Sequence, residues 1–401
     1  MGQDMPSVDA KKPKVALVCD WLTTVGGAES VLLALHKMYP EAPIYTSKYN
    51  KKGIDWFLDA DVRTGWLQFF PTCLRRFISP LRQHYFSHLD LSDYDLVISV
   101  TGAEAKAVKT KKTEQNTKNS EQTEHHCVHL CYCHVPTQYY WQMYDEYLKN
   151  PGFGILNPLA RIGLKLFVKP MRKKDFAAAQ RPDEFITISE HAKEQIKKYY
   201  KREAKIIYPP VDLEKFSTEL STNNKMKPTK SQAKNRYNYI TTSRQVNWKR
   251  LDLAILACIK ADQNLTVIGD GPEHKKLVKL AGGSQRVRFL PHMSQDELKI
   301  HLEKADAYIF PSLEPFGIAP IEAMSLGLPV IAYGEGGALD YVKPNLSGAL
   351  FAEQTVGSLA KVLESFDPSK FSKSKIIESV ARFDKSIFVE KMQREIREKL
   401  S

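Results

Sequence analysis

Five apolar residues, Val15 to Cys19, follow a basic, polar opening and are closed by Asp20. A run this short and this apolar predicts a buried strand over 14–20. After Gly26-Gly27, apolar positions at Val31, Leu32, Leu35 and Met38 recur with helical spacing and predict a helix over 28–39. Strand, glycine loop and helix together open a doubly wound α/β domain. Apolar runs at 96–100, 128–133 and 185–189 alternate with helix-like segments, among them 191–201, and continue the pattern. A short run at 206–208 then leads into the turn Pro209-Pro210.

The second half repeats the alternation. Strands are predicted over 237–242, 265–268, 287–290, 307–310 and 329–332, and helices over 251–261, 273–281, 295–304 and 320–326. Two stretches break the rhythm. Residues 109–126 contain no aliphatic or aromatic side chain, so nothing offsets their ordering entropy, and they are expected to form a mobile surface insertion. Residues 214–236 are polar and basic and are expected to be a linker. The expected organisation is an N-terminal Rossmann-like domain over 1–213, the linker, and a C-terminal Rossmann-like domain over 237–384. A last helix is expected over 385–401.

Length agrees with this division, since 401 residues exceed what one core usually organises. Lys and Arg number 58 against 46 Asp and Glu, a net charge of +12 that favours anionic partners. No run reaches the roughly 18 apolar residues of a membrane span, and the N-terminus lacks the apolar core of a secretion signal. Six cysteines in so long a chain do not form a disulfide framework. The expected location is cytoplasmic, either free or peripheral on the inner face of the cell membrane.

The segment richest in chemistry is FPSLEPFGIAPIEAMSLGLPVIAYGEGGALD, residues 310–340. It places Glu314 in a loop after a strand, then Phe316-Gly317-Ile318, then a helix carrying Glu322. A helix start after a strand offers N–H groups and partial positive charge to a diphosphate. A carboxylate one turn into that helix can accept two hydrogen bonds from a ribose diol, and the loop carboxylate can reach sugar hydroxyls. Arg244 and Lys249 follow the first strand of the same half, where ligands of doubly wound sheets bind. Two cations there can stabilise a departing nucleoside diphosphate without a metal ion.

These segments, with Gly269–Pro272, resemble the donor site of glycosyltransferase family 4, retaining enzymes of the GT-B fold. The N-terminal half joins the resemblance through Gly26-Gly27-Ala28-Glu29, YDLVISVTGAEAKAV and CYCHVPTQYYW. It covers most of the chain and lies nearest to bacterial mannosyltransferases of polysaccharide and O-antigen synthesis. It implies two Rossmann-like domains facing a cleft, with the last helix over 385–401 packing back on the first domain, and closure over the reactants to exclude water. It also implies that Arg244 and Lys249 hold the diphosphate, that Glu322 holds the ribose, and that Glu314 with Phe316, Gly317 and Ile318 holds the transferred sugar. Asp270, Gly271, Pro272 and Met293 would border the base. Gly26 and Gly27 either let the backbone approach a phosphate or acceptor, or simply make a tight turn. His134 either lies beside the reacting sugar, orienting a hydroxyl, or is structural.

Other chemistry falls away on geometry. Cys127, His129, Cys131 and Cys133 sit on one strand about 7 Å apart per step and cannot converge on a tetrahedral ion. Asp59-Ala60-Asp61 and Asp93-Tyr94-Asp95 precede their strands, at the edge opposite the ligand-binding ends. Segments 66–86 and 159–174 interleave apolar and basic residues, as a core element with a solvated face or a membrane-surface element does. No recognised module accompanies them that would indicate nucleic acid. The expected function is a metal-independent hexosyltransferase without a cofactor. It would move a hexose from a GDP- or UDP-linked donor, mannose from GDP-mannose first among them, to a glycan or lipid-linked acceptor. A nucleotide-sugar epimerase of the same fold and a non-catalytic sugar-nucleotide or glycan-binding protein are the alternatives.

Overall fold

The computed structural model describes residues 12–71, 78–111, 126–149, 151, 154–216 and 236–401. Most of the expected insertion over 109–126 and of the expected linker over 214–236 lies outside these residues. The chain forms two compact units. One comprises Met1–Thr187, Lys193–Ile206 and Met392–Ser401, and the other Ile188–Ala192 and Ile207–Lys391.

The first unit is built on seven parallel strands: β1 (Val15–Cys19), β2 (Ile44–Thr46), β3 (Val62–Thr64), β4 (Leu96–Thr101), β5 (Val128–Cys133), β6 (Glu184–Thr187) and β7 (Lys205–Ile206). Their order across the sheet is β3-β2-β1-β4-β5-β6-β7. Every residue of β1, β4 and β5 is buried, as in a parallel sheet covered on both faces. Leu17 stands beside Ile98, and Ile98 beside Leu130, across the centre. The helix Gly27–Met38 seals this centre with Val31, Leu32 and Leu35, the positions its spacing singles out.

The second unit holds six parallel strands: β8 (Asn238–Thr242), β9 (Asn264–Ile268), β10 (Val287–Leu290), β11 (Ala307–Phe310), β12 (Val330–Tyr333) and β13 (Gly348–Phe351). Their order is β10-β9-β8-β11-β12-β13. In each sheet the chain winds outward from its first strand and then crosses to that strand's other side. The loops leaving β1 and β4, and those leaving β8 and β11, therefore diverge and open a crevice at the strands' carboxyl ends.

The helix Lys385–Leu400 divides its residues between the two units at Met392. Within the second unit Lys385 pairs with Asp212 at 3.1 Å and Glu214 at 2.7 Å. Within the first, Lys205 donates to Glu395 at 2.7 Å. Among the described residues no helix is long and apolar enough to cross a membrane.

Candidate functional site

In the second unit the crevice lies between the loops after β8 and β11. The chain leaving β8 turns through the short helix Asn247–Lys249 and is stopped by Arg250, held in the left-handed region at φ 52°. That conformation costs a non-glycine residue about 1–2 kcal/mol, and it follows directly on Lys249. Across the crevice, Lys249 Nζ donates to Glu314 Oε1 at 2.6 Å, and Ser312 Oγ donates to the same oxygen at 2.6 Å. An ammonium has three donors, so this one keeps two for the oxygens of an anion. Arg244 is exposed at the end of β8, and its guanidinium has no ion-pair partner among the described residues.

The loop from Glu314 to Gly317 is clamped. Phe316 is buried and stacks on Tyr208 at 5.9 Å, while Tyr341 donates its hydroxyl to the Phe316 carbonyl at 2.9 Å. Gly337 N–H donates to the Glu314 carbonyl at 2.8 Å. Gly317 adopts φ 94°, and a Cβ there would come within 2.6 Å of the Phe310 ring, so both backbone and packing require glycine. The helix Ile318–Ser325 starts at the next residue, aiming its N-terminal end into the crevice. One turn in, Glu322 has no side-chain hydrogen-bond partner among the described residues. Burial pushes its carboxyl up to about 7, opposed only in part by Lys215.

The loop after β9 joins the same edge. Gly269 takes φ 122° with its Cα against the Ser243 carbonyl, and Gln245 N–H donates to the Asp270 carbonyl at 2.8 Å. Asp270 accepts from His292 N–H at 2.9 Å, tying Gly271 and Pro272 to the turn that carries Met293. One group escapes sequence reasoning here. Ser243 Oγ is buried without a partner among the described residues, beside Arg244. Serine at a strand end gives no sequence signal.

Gly26, Gly27 and His134 lie in the first unit, at the carboxyl edge of its sheet. Gly26 caps the helix Gly27–Met38 with φ −168°, an extended conformation open to any residue. A Cβ there would meet only the end of the flexible Glu29 side chain. His134 follows β5, its N–H donating to the Thr101 carbonyl at 2.9 Å. Its Nε2 is buried with no partner among the described residues, and burial lowers its pKa to about 4. The imidazole is neutral at physiological pH and can orient a hydroxyl but has no proton to donate from a charged state.

Around that edge the structure assembles buried polar networks. Arg82 meets Glu104 at 2.9 Å, and Glu104 also accepts from Ser79 and Tyr139. Lys106 meets Asp175 at 2.7 Å, where Thr137, Trp141 and Tyr200 converge. Asp20 accepts from Gly102 and Ala105 N–H groups and from Thr101, and burial still raises its pKa. Cys127, Cys131 and Cys133 are free and buried in the sheet, and His129 meets Ser99 at 2.8 Å. Among the described residues no group of His, Cys, Asp and Glu is arranged to hold a metal ion.

Residues 223–383 match the family model for glycosyl transferases group 1. The matched stretch contains Arg244, Lys249, Asp270, Glu314 and Glu322; Gly26, Gly27 and His134 fall outside it. The D-inositol 3-phosphate glycosyltransferase of Mycobacterium sp. (strain KMS) is 33% identical over 127 residues, 29% of this chain and 29% of that protein. The similarity thus spans less than a third of that relative's length. Among solved structures, Anabaena Alr3699/HepE in complex with UDP and glucose aligns over 96% of this chain and all of its own, with 18% identity and a TM-score of 0.62. Sucrose-phosphate synthase from Thermosynechococcus elongatus aligns over 96% of this chain and 99% of its own, with 17% identity and a TM-score of 0.64. The fold is therefore that of GT-B proteins, two Rossmann-like parallel sheets with flanking helices.

Proposed function

We propose that this protein is a glycosyltransferase that moves a hexosyl group from a nucleotide sugar to a glycan or lipid-linked acceptor. The observation that carries this reading is the Lys249–Glu314 pair in the β8/β11 crevice, beside a glycine-started helix bearing Glu322. In this reading Lys249 and Arg244 hold the diphosphate, and Glu322 accepts hydrogen bonds from the ribose diol. Glu314, with the backbone of Phe316, Gly317 and Ile318, holds the transferred sugar. Asp270, Gly271, Pro272 and Met293 border the base. Gly26 and Gly27 bring a helix N-terminus to a phosphate or acceptor, and neutral His134 orients a sugar hydroxyl.

As the bond from the anomeric carbon to phosphate breaks, negative charge grows on the departing diphosphate. Preorganised cations lower that barrier, and removing one charge-stabilising group costs about 10²–10³ in rate. The two cations replace a metal ion in this role. The reaction retains configuration, with the acceptor oxygen attacking on the face the diphosphate leaves and passing its proton to that diphosphate. The donor we favour is GDP-mannose. The UDP and glucose bound in the Anabaena structure make UDP-glucose the second donor to try.

The test is release of nucleoside diphosphate and extension of lipid-linked acceptors by the purified protein. Transfer is expected with at least one donor, unchanged by EDTA. Lys249→Ala is expected to lower turnover by about 100-fold or more at an unaltered Tm. Full activity in a folded Lys249→Ala/Glu322→Ala variant would reject the site. A donor converted to its epimer without acceptor would reject the reaction class.

A further inference from the structure

The helix Asn157–Ala178 carries apolar residues on two opposite faces. Ala160, Val168, Met171 and Ala178 are buried in the first unit. On a 3.6-residue repeat, Leu159, Ile162 and Leu166 fall on the far side. They are exposed, at 66%, 57% and 68%. Leu156, just before the helix, and Phe167 are exposed as well. A soluble protein's surface helix normally turns a polar face outward, and one apolar all round is normally covered all round. The outward stripe therefore lacks the cover that its composition calls for.

The exposed charges of this helix are all of one sign, and the acids Asp145 and Glu146 sit on the adjoining helix Tyr144–Lys149. Arg161, Lys165, Lys169, Lys173 and Lys174 are exposed. The one acid of the helix, Asp175, points the other way into the core, where it meets Lys106 at 2.7 Å. That buried pair anchors the helix and removes its only negative charge from the surface. The neighbouring helix Ser79–His88, which packs against this one, adds exposed Leu81.

We propose that the helix Asn157–Ala178 docks the protein on an anionic lipid bilayer. Leu159, Ile162 and Leu166 enter the acyl boundary, and the flanking lysines meet the headgroup phosphates. An in-plane helix with an apolar stripe and a cationic rim gains from both terms at once. A second copy of this chain is a poor occupant, because its own cations would face these. A neutral protein partner leaves the cations unused. This helix belongs to the first unit, and Arg244, Lys249, Glu314 and Glu322 belong to the second.

The test is flotation of the full chain with vesicles of phosphatidylcholine alone and of phosphatidylcholine with phosphatidylglycerol, at low and high salt. The protein is expected to float with the anionic vesicles only, and less at high salt. Ile162→Ser/Leu166→Ser is expected to weaken binding by about tenfold or more. Lys165→Gln/Lys169→Gln/Lys173→Gln is expected to weaken it roughly 100-fold, about fivefold per cation. All five positions are exposed, so both variants should keep the parent Tm. Equal binding to both vesicle types, no binding, or binding unchanged in either variant overturns the proposal. So does concentration-dependent dimerisation abolished by Ile162→Ser/Leu166→Ser, which would assign the stripe to a second copy.

Discussion

Glu322 is an acid that its surroundings make hard to ionise. Its carboxyl titrates at about 7 in the fold against an ordinary value of 4.5, with burial as the cause. Because the folded-state value is the higher one, the folded protein prefers the protonated group. The penalty is absent below about pH 4.5, grows as pH rises to about 7, and then levels at roughly 3 kcal/mol. Glu322→Gln removes this titration. Its Tm should match the parent's near pH 4.5 and exceed it near pH 8, as scanning calorimetry at both values would show. A ribose diol donates hydrogen bonds to the ionised form, so nucleotide binding should tighten from about pH 5 to pH 7 and release a proton. Titration calorimetry in two buffers of different ionisation enthalpy reads that proton. A pH-independent affinity without proton release would count against Glu322 as the ribose ligand.

At the level of elements, strands and helices hold these side chains through contacts that substitution can test. Gly317→Ala places a methyl within 2.6 Å of the Phe310 ring at a φ few residues adopt. It should cost about 1–3 kcal/mol and abolish nucleotide binding, which urea unfolding and nucleotide titration check. Lys106→Met leaves the Asp175 carboxylate buried without its cation and should cost about 3–5 kcal/mol. The strands β1, β4, β5 and β11 were legible in the sequence because each is a short, mostly apolar run, and β8, NYITT, because it opens the same strand–helix alternation in the second half. Short strands at the sheet's margin carry no such signal: β2, IYT, and the edge strand β3, VRT, are three residues long, and the second is mostly exposed. They exist because a neighbouring strand supplies their hydrogen bonds. The same logic divides the site. Lys249, Glu314 and Glu322 could be placed from sequence because each stands a fixed step beyond a recognisable strand. Nothing in GAEAKA marks Glu104 and Lys106 as buried, yet they are 0% and 1% exposed. Their partners Arg82 and Asp175 lie far along the chain, and only tertiary packing brings them together.

For the whole molecule, two Rossmann-like units divide the candidate chemistry between them. The anion-binding groups Arg244, Lys249, Glu314 and Glu322 belong to the second, within the stretch that matches the glycosyltransferase model. Gly26, Gly27, His134 and the basic, apolar helix Asn157–Ala178 belong to the first. A charge of +12 suits both an anionic donor and an anionic surface, and the two attractions respond to different variants. The most direct test of the central claim is thermal unfolding of the parent and of Lys249→Ala with GDP, UDP, dTDP and ADP and their sugar conjugates. One nucleotide and its sugar conjugate should stabilise the parent by about 2.7 kcal/mol at 100 times the dissociation constant, and Lys249→Ala should lose most of that gain. A folded parent whose Tm responds to none of them would contradict the assignment of this crevice to a nucleotide sugar.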